Sequence, residues 1–392
     1  MQKAFIAAGK RTPIGSILGS LKQFSGVELA THSIKATIED AKIDTNAIDQ
    51  VILGNVLSTG LGQNPARQAS INAGIGIQVP CYNINKVCAS GIKAVSLGAT
   101  DIWSGLSNVI IAGGFESMSN APHFMRNIRL GHKFGDFGVY DSLTNDGLID
   151  AYSKKAMGYC GEKTAKEMGI SRERQDEYCI SSYEKCLKAI ETGAINREIV
   201  PIDVPKIGMF GIDEEPQKFK RDKIPSLKPA FPDQNKNGTI TGANASKLND
   251  GACSLLLMSE KALINNSLNP LVQVISFADT EVAPDNFNIC PALAAQKALH
   301  KAGLQIKDID FWEINEAFSV TALANIHLLE LDRNKVNVHG GAVALGHPIG
   351  MSGARIVLSL INVLKTYNGK YGCAVICNGG GGSTALIVKN TV

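Results

Sequence analysis

An approximate internal repeat constrains the fold of this 392-residue chain more than any other feature. Segments of the first third return near the end of the chain at almost one separation, which for Cys88 and Gly350 is 262 positions (350 − 88). The matched segments are Lys35–Ile43 with Lys297–Leu304, Ala47–Asp49 with Asp308–Asp310, Cys88–Val95 with Gly350–Val357, and Ile110–Gly114 with Val375–Gly379. Four matches at nearly one offset predict two similar halves that pack together.

Each half reads as alternating strands and helices, which is typical of the α/β class. The continuous apolar run Val109–Gly114 indicates a strand buried on both faces. We therefore expect a mainly parallel sheet covered by helices. The predicted strands of the first half are Ala4–Ala8, Gln50–Leu57, an extended Pro80–Val87 and Asn108–Ala112, and its predicted helices are Gly26–Lys42, Pro65–Gly74 and Ile92–Trp103.

The segment 121–249 interrupts this pattern, because it is richer in charge, aromatic residues and proline. One helical hairpin, roughly Tyr159–Glu191, is predicted inside it. We interpret it as an inserted loop domain that binds the ligand and supports oligomerisation. The predicted domains are therefore an N-terminal half formed by 1–120 and 250–270, the insertion at 121–249, and a C-terminal half at 271–392.

Composition excludes several classes of protein. A formal charge of +3 is too small to suggest nucleic-acid binding, and the sequence has no uninterrupted apolar run of the length that a membrane helix needs. The nine cysteines contain no C-x-x-C pair, which argues against a disulfide framework or a zinc site. A reducing interior follows, so the cytoplasm is predicted, with the mitochondrion as the alternative if a transit peptide has been removed.

Cys88 is the candidate nucleophile, because it lies where the third helix of the first half should begin. Helix N-termini favour negative charge, so we expect its thiol to be shifted toward thiolate. The competing interpretation is a buried structural cysteine, which is what most free cysteines are.

Three further groups occupy strand ends or turns of the second half. Asn315 follows a predicted strand, where it could donate to a carbonyl oxygen or simply cap a helix. His347 lies among glycines and precedes Pro348, which suits an acid/base better than a dinucleotide loop. Cys377 ends a buried strand just before four glycines that include Gly379. Two thiols beside a histidine also allow a disulfide-exchange interpretation, which the absence of C-x-x-C spacing disfavours.

These motifs resemble the thiolase family over nearly the whole chain, and most closely its acetyl-CoA acetyltransferase (acetoacetyl-CoA) type. The segments that carry the resemblance are Arg11–Gly15, Asn85–Gly91, Gly113–Asn120, Asn244–Gly251, Asn315–Phe318, Gly340–Gly350 and Cys377–Gly382. The resemblance implies a thiolase fold, in which two βαβαβαββ halves form a five-layer αβαβα sandwich with a loop domain inserted in the first half. It also implies the reversible Claisen condensation of two acetyl-CoA molecules to acetoacetyl-CoA and CoA, in a homotetramer.

The resemblance assigns catalytic roles to five positions. Cys88 would carry the acetyl group, His347 would activate it, and Cys377 would move the proton at the α-carbon or the leaving thiol. One oxyanion pocket would use His347 with a water held by Asn315, and the other would use the backbone N–H groups of Cys88 and Gly379. Such donors suit the thioester enolate, since they are already aimed at its oxygen.

Coenzyme A and a potassium ion are the ligands that the resemblance implies. The positions matched to the coenzyme are Met157, Tyr183, Arg221, Asp222, Lys223 and Ser246. The positions matched to the ion are Tyr183 and the backbone at Gly242, Ala243, Ala245 and Val343. Carbonyl oxygens suit such a hard cation. No tightly bound cofactor is expected besides these.

One position departs from the family pattern. Acetoacetyl-specific members usually carry histidine before the pair Met157-Gly158, whereas this chain has Ala156. A broad-specificity degradative 3-ketoacyl-CoA thiolase is therefore the alternative. A ketoacyl synthase should show two catalytic histidines and a His-Gly-Thr-Gly-Thr run; this run does not occur, and Cys377 replaces one of the histidines. A non-catalytic acyl-CoA binding protein is disfavoured, because all the polar catalytic positions are intact.

Overall fold

A computed structural model describes residues 2–391. The strands are β1 (Ala4–Arg11), β2 (Gly15–Ser16), β3 (Gln50–Gly54), β4 (Cys81–Ile84), β5 (Val109–Ser117), β6 (His123–Met125), β7 (Val139–Asp141), β8 (Ile202–Val204), β9 (Gly208–Phe210), β10 (Asn249–Ser259), β11 (Val272–Glu281), β12 (Phe311–Ile314), β13 (Tyr371–Asn378) and β14 (Gly382–Asn390). The helices are α1 (Gly26–Ala41), α2 (Pro65–Asn72), α3 (Ser90–Ser104), α4 (Met157–Glu167), α5 (Arg172–Glu191), α6 (Glu260–Asn265), α7 (Cys290–Ala302), α8 (Ser319–Leu328), α9 (Ala342–Leu345) and α10 (Ile349–Tyr367).

The predicted duplication is visible in the order of these elements. The first half runs β1, α1, β3, α2, β4, α3, β5 and β10, and the second runs β11, α7, β12, α8, α10, β13 and β14. The second half lacks a full counterpart of β4 among the described residues; a single parallel bridge from Trp312 to Val336 stands in its place. Apart from this strand, the two halves share the βαβαβαββ plan, and the predicted fold class is confirmed.

The prediction of a mainly parallel sheet is wrong. Hydrogen bonds connect the strands in the order β12, β13, β14, β11, β1, β10, β5, β3 and β4. Within residues 2–391, the only strands that pair in parallel are β3 with β4, β3 with β5, and β12 with β13. The reason is the connection between the last two strands: Gly379–Gly381 turn the chain directly from β13 into β14, and strands joined by a tight turn must be antiparallel. Strands β10 and β14 lie at the same place in their halves.

Helices α3 and α10 form the central layer between the two halves. They pack so closely that a β-carbon on Gly91 would lie 2.6 Å from the backbone nitrogen of Ala354, and one on Gly353 would lie 2.4 Å from that of Ile92. Alternate residues of the strands point to the centre or to an outer layer, since Ala374 and Ile376 belong to the central hydrophobic cluster whereas Cys373, Val375 and Cys377 belong to an outer one. Among residues 2–391, α10 alone is long and apolar enough to cross a membrane, and most of it is buried in this core.

The inserted segment contains the predicted hairpin, as α4 and α5. The separate pairs β6–β7 and β8–β9 also lie in it. Its tip exposes large apolar side chains, with Leu130 86% and Phe134 96% exposed. The proposed domain bounds begin and end at residues 1 and 392, which lie outside the described residues.

Candidate active site

The turn that carries Cys88 is tightly held and locally strained. Helix α3 begins at Ser90, so Cys88 precedes the helix, and the prediction that it lies in the first helical turn is wrong by two residues. Val87 has φ 48°, an unfavourable value for a β-branched residue. Its N–H donates to Asn85 Oδ1 (2.9 Å), and its carbonyl accepts from Ser90 Oγ (2.6 Å). The surrounding bonds therefore fix the direction of the cysteine.

The Cys88 thiol is not shifted toward thiolate as predicted. Burial raises its pKa to about 11, although hydrogen bonds from the backbone N–H groups of Gly379 and of Cys88 itself favour the thiolate. The charge of Glu116 raises this pKa further. Desolvation of the buried thiol outweighs the effect of the helix dipole on its pKa. A neutral resting thiol needs a base when it reacts.

An ionic contact fastens the nucleophile turn to the second half. Lys86 Nζ lies 2.9 Å from Asp279 Oδ1, and Lys93 Nζ lies 2.6 Å from Asp279 Oδ2. The same carboxylate accepts from Thr384 Oγ1 (2.6 Å). Since these lysines flank Cys88 in sequence, Asp279 fixes the turn on both sides.

His347 is oriented as a base by a serine that the sequence analysis missed. Its Nδ1 lies 2.5 Å from Ser352 Oγ, which also lies 2.9 Å from the carbonyl oxygen of Pro348. The hydroxyl has one proton and donates it to that carbonyl, so it accepts from Nδ1–H and leaves the lone pair of Nε2 free. Burial, with a smaller effect of Arg355, lowers the pKa of His347 to about 3, so the resting ring is neutral, and its Nε2 has no hydrogen-bond partner among the described residues.

The backbone around His347 is fixed by Asn249. Its Oδ1 accepts from His347 N–H at 2.9 Å, and its amide donates to the Gly15 carbonyl at 2.9 Å. Gly346, just before the histidine, has φ 106° and lies against this amide, where a β-carbon would come within 2.4 Å of Oδ1. Glycine is therefore required at this point.

Asn315 lies at the end of β12 with an unpartnered amide. The residue is fully buried, and neither Nδ2 nor Oδ1 has a hydrogen-bond partner among the described residues. Its backbone N–H donates to Val375 (3.0 Å), and α8 begins only at Ser319, so it does not cap that helix. A buried amide of this kind suits a ligand or a bound water.

Cys377 and Gly379 lie at the end of β13, on the side of the second half that meets the nucleophile. Burial raises the pKa of the Cys377 thiol well above its usual value, and the neighbouring Cys88 raises it further. A β-carbon on Gly379 would lie 3.6 Å from Val87 and 3.8 Å from Met157. Cys88, Cys377 and Gly379 are thus brought together from both halves, and the nine cysteines are free thiols.

Glu116 is a second residue that the sequence analysis missed. Its carboxylate accepts from Asn55 Nδ2 (2.7 Å) and from the N–H groups of Val56 (3.1 Å), Leu57 (3.1 Å) and Gly350 (3.0 Å). Burial raises its pKa to about 7, while the backbone donors lower it. It therefore joins the first half to the start of α10. A buried glutamate at the end of an apolar strand, in Gly113–Asn120, was the available signal.

Glu316, next to Asn315, supports the second side of the site. It accepts from Tyr178 Oη, Ser182 Oγ and Asn337 Nδ2, each at 2.8 Å, and from the N–H of Val343 at 3.0 Å. This carboxylate ties β12 to α5 and α9. It fixes the helix that leads directly to His347.

Some of the residues that the resemblance matches to coenzyme A are exposed, and the others are half-buried or buried. Arg221, Asp222 and Lys223 form an exposed turn, where Arg221 pairs with Glu184. Ser246 lies half-buried, with its N–H on the carbonyl of Ala317 (3.0 Å). Met157 lies beside Gly379. The buried Tyr183 stacks on Phe219 with ring centroids 4.7 Å apart. The exposed basic turn suits phosphate groups, and Met157 suits the acyl end.

Backbone carbonyls at the positions that the resemblance matches to potassium form a cage, and the ammonium group of Lys247 occupies it. Its Nζ lies 2.9 Å from the carbonyl oxygen of Ala243, 2.6 Å from that of Ala245 and 3.1 Å from that of Val343. Gly242 does not take part in these bonds, and the ring of Tyr183 lies 5.7 Å from Nζ. Three of the predicted carbonyls do converge, but the residues present do not fit a potassium ion, because an ammonium group occupies the position. Burial lowers the pKa of Lys247 to about 8.

Comparison with known families matches both halves. The family description "Thiolase, N-terminal domain" matches residues 4–261, and "Thiolase, C-terminal domain" matches residues 268–390.

Similar proteins cover almost the whole chain. A probable acetyl-CoA acetyltransferase of Dictyostelium discoideum is 49% identical over 99% of this chain and 94% of its own length, and a mitochondrial acetyl-CoA acetyltransferase of Mus musculus is 47% identical over 99% and 91%. A cytosolic acetyl-CoA acetyltransferase of Gibberella zeae is 45% identical over 98% of both chains. The crystal structure of the Acat5 thiolase from Ascaris suum in complex with coenzyme A has a TM-score of 0.94 and 43% identity, covering 99% of this chain and 100% of that one.

Proposed function

The chain belongs to the thiolase family and functions in acetyl-CoA C-acetyl transfer, and we propose that it does so through an acetyl group carried on Cys88. The observation that carries this proposal is the close approach of Gly379 to the turn of Cys88, where a β-carbon on Gly379 would lie 3.6 Å from Val87. It joins the nucleophile of one half to the oxyanion donor of the other. Covalent storage of the acetyl group divides the condensation into two simpler steps.

The first half-reaction acetylates Cys88. His347 Nε2 accepts the thiol proton, and the sulfur attacks the carbonyl carbon of acetyl-CoA. The tetrahedral oxyanion accepts from the N–H groups of Cys88 and Gly379. When the carbon–sulfur bond to CoA breaks, Cys377 gives its proton to the leaving thiolate. CoA departs, and a Cys377 thiolate faces a protonated His347.

The second half-reaction forms the new carbon–carbon bond. The Cys377 thiolate removes a proton from the methyl group of a second acetyl-CoA, and the enolate oxygen accepts from His347 and from a water held by Asn315. The enolate carbon attacks the acetyl group, and acetoacetyl-CoA forms. The Cys88 thiolate that leaves takes the proton back from His347, so both cysteines end as thiols. Their raised pKa values suit this cycle, because each is a thiol between turnovers.

Ala156 supports a second candidate, the broad-specificity 3-ketoacyl-CoA thiolase. It stands at the N-cap position of α4, next to Met157, where a histidine would narrow the acyl pocket. Alanine leaves more room beside the acyl group. Longer 3-ketoacyl chains would then be accepted by the same chemistry.

Thiolytic cleavage of 3-ketoacyl-CoA substrates of four to sixteen carbons tests both candidates. We expect the purified protein to cleave acetoacetyl-CoA with CoA and to prefer four carbons, and Cys88→Ser to lose this activity. Cys81→Ser is the matched control, because Cys81 is a half-buried thiol on β4. Unchanged turnover in Cys88→Ser would contradict the mechanism, whereas equal rates at all lengths would favour the broad-specificity candidate.

Coenzyme A thioesters are the substrates, and we propose that Arg221, Asp222, Lys223 and Ser246 hold the nucleotide and pantetheine arm. The proposed homotetramer forms through the inserted segment, and its support is the exposed apolar tip that includes Leu130 and Phe134. The three regions 1–120 with 250–270, 121–249 and 271–392 are proposed as its domains. The proposed compartment is the cytoplasm, with the mitochondrion as alternative; similar proteins include both kinds.

A further inference from the structure

The ammonium group of Lys247 is fully coordinated by backbone carbonyls. Its three N–H donors match three acceptors, the carbonyl oxygens of Ala243, Ala245 and Val343, at 2.6 to 3.1 Å. The face of Tyr183, with its centroid 5.7 Å from Nζ, adds a cation–π contact. A surface lysine would keep its charge in water, so this inward position needs a structural reason.

The acceptors belong to two segments that border the active site. Ala243 and Ala245 lie on the loop 241–248. Two hydrogen bonds join this loop to the start of α8: Ser319 N–H donates to the Asn244 carbonyl (2.8 Å), and Ser246 N–H donates to the Ala317 carbonyl (3.0 Å). Val343 lies on α9, which leads directly to His347. Lys247 therefore links the loop of Ser246 to the turn of the catalytic base.

The same cage cannot hold a second cation. Three carbonyl dipoles point at one position, and Lys247 already places a positive charge there. A monovalent ion would lose its hydration shell only to meet a like charge at contact distance.

We propose that Lys247 is a positioning residue that serves as a built-in monovalent cation, so that this enzyme needs no potassium ion. The ammonium holds the loop 241–248 against α9 and keeps Ser246 in place for the pantetheine arm. The effect on catalysis rests on the proposed function; the cation independence of the fold does not.

The test compares three proteins in sodium and in potassium chloride of equal ionic strength. Wild type should have the same unfolding midpoint and the same thiolysis rate in both salts. Lys247→Ala empties the cage and should raise KM for CoA about tenfold in sodium, with a smaller change in kcat, because three carbonyls lose their donor. Potassium should restore most of this KM and of the lowered unfolding midpoint. Lys247→Met fills the space without charge and should respond to neither salt.

The outcomes separate clearly. The proposal is overturned if potassium raises the unfolding midpoint or the activity of the wild type, a comparison that needs no variant. It is also overturned if Lys247→Ala keeps the wild-type KM and midpoint in sodium, or if potassium restores Lys247→Met as well as Lys247→Ala. Because the unfolding midpoint is measured without substrate, failure of the proposed function would leave that part of the test intact.

Discussion

Replacing Ser352 with alanine should reduce the fraction of His347 that can act as a base, although Ser352 does not contact the reacting atoms. Ser352 Oγ accepts the Nδ1–H at 2.5 Å inside the core, so the variant either leaves that N–H unpaired or lets the ring move its proton to Nε2. An unpaired buried donor costs about 1–3 kcal/mol. The base-competent form should fall by the corresponding factor, about 5- to 150-fold. We expect kcat to drop within this range and KM for CoA to change little.

The assay is single-turnover acetylation of Cys88 by acetyl-CoA, followed by mass spectrometry, together with steady-state thiolysis. Ser352→Thr keeps a hydroxyl and should recover most of the rate. Ser359→Ala is the matched control, since Ser359 is buried on the same helix and contacts Glu198 instead (3.2 Å). A Ser352→Ala enzyme that acetylates Cys88 at the wild-type rate would show that the serine does not set the tautomer of His347.

Two further predictions concern stability. Glu116→Gln should lower the free energy of unfolding, measured by urea titration, by about 1–3 kcal/mol. The carboxylate accepts from three backbone N–H groups, and the NH₂ of a glutamine would face one of these donors instead of accepting from it. An unchanged midpoint would mean that these bonds are not needed. Burial raises the pKa of Asp279, but hydrogen bonds from Lys93, Thr384 and Lys86 outweigh it and lower this pKa to about 2. The ionised carboxylate therefore stabilises the fold above the unfolded-state pKa near 4. This stabilisation is lost as the pH falls from about 4 to 2. Urea titrations from pH 7 to pH 3 should show Asp279→Asn less stable than wild type at neutral pH and the gap narrowing in acid; a constant gap would contradict the linkage.

The sequence was most informative about the catalytic residues that lie in the repeated segments of the two halves. Because the Cys88 turn and the Gly350 turn occupy matching places in the two halves, the sequence alone assigns the nucleophile, His347 and Cys377 to one interface. The pKa of Cys88 could not be predicted, since burial depends on segments distant in sequence. The strand directions were misjudged because an apolar run does not show whether the chain enters a strand such as β10 or β14 in the parallel or the antiparallel direction.

Ser352 and Lys247 show a different limit. A serine within a helix and a lysine in a polar loop carry no pattern that distinguishes them from solvent-facing residues. Their roles depend on where the side chain points. Both became recognisable only from the acceptors that surround them, namely the Pro348 carbonyl for Ser352 and the cage of three carbonyls for Lys247.

The close contact of α3 with α10 limits how the two halves can diverge. A methyl group added at Gly91 would collide with the backbone at Ala354, and one added at Gly353 would collide with the backbone at Ile92. No side-chain rotation relieves either collision, so an accepted change on one side would first require the opposite helix to move. The halves can drift apart in almost every other position, but at this pair they must evolve together, and the trace of the repeat should therefore persist longest where the two helices touch.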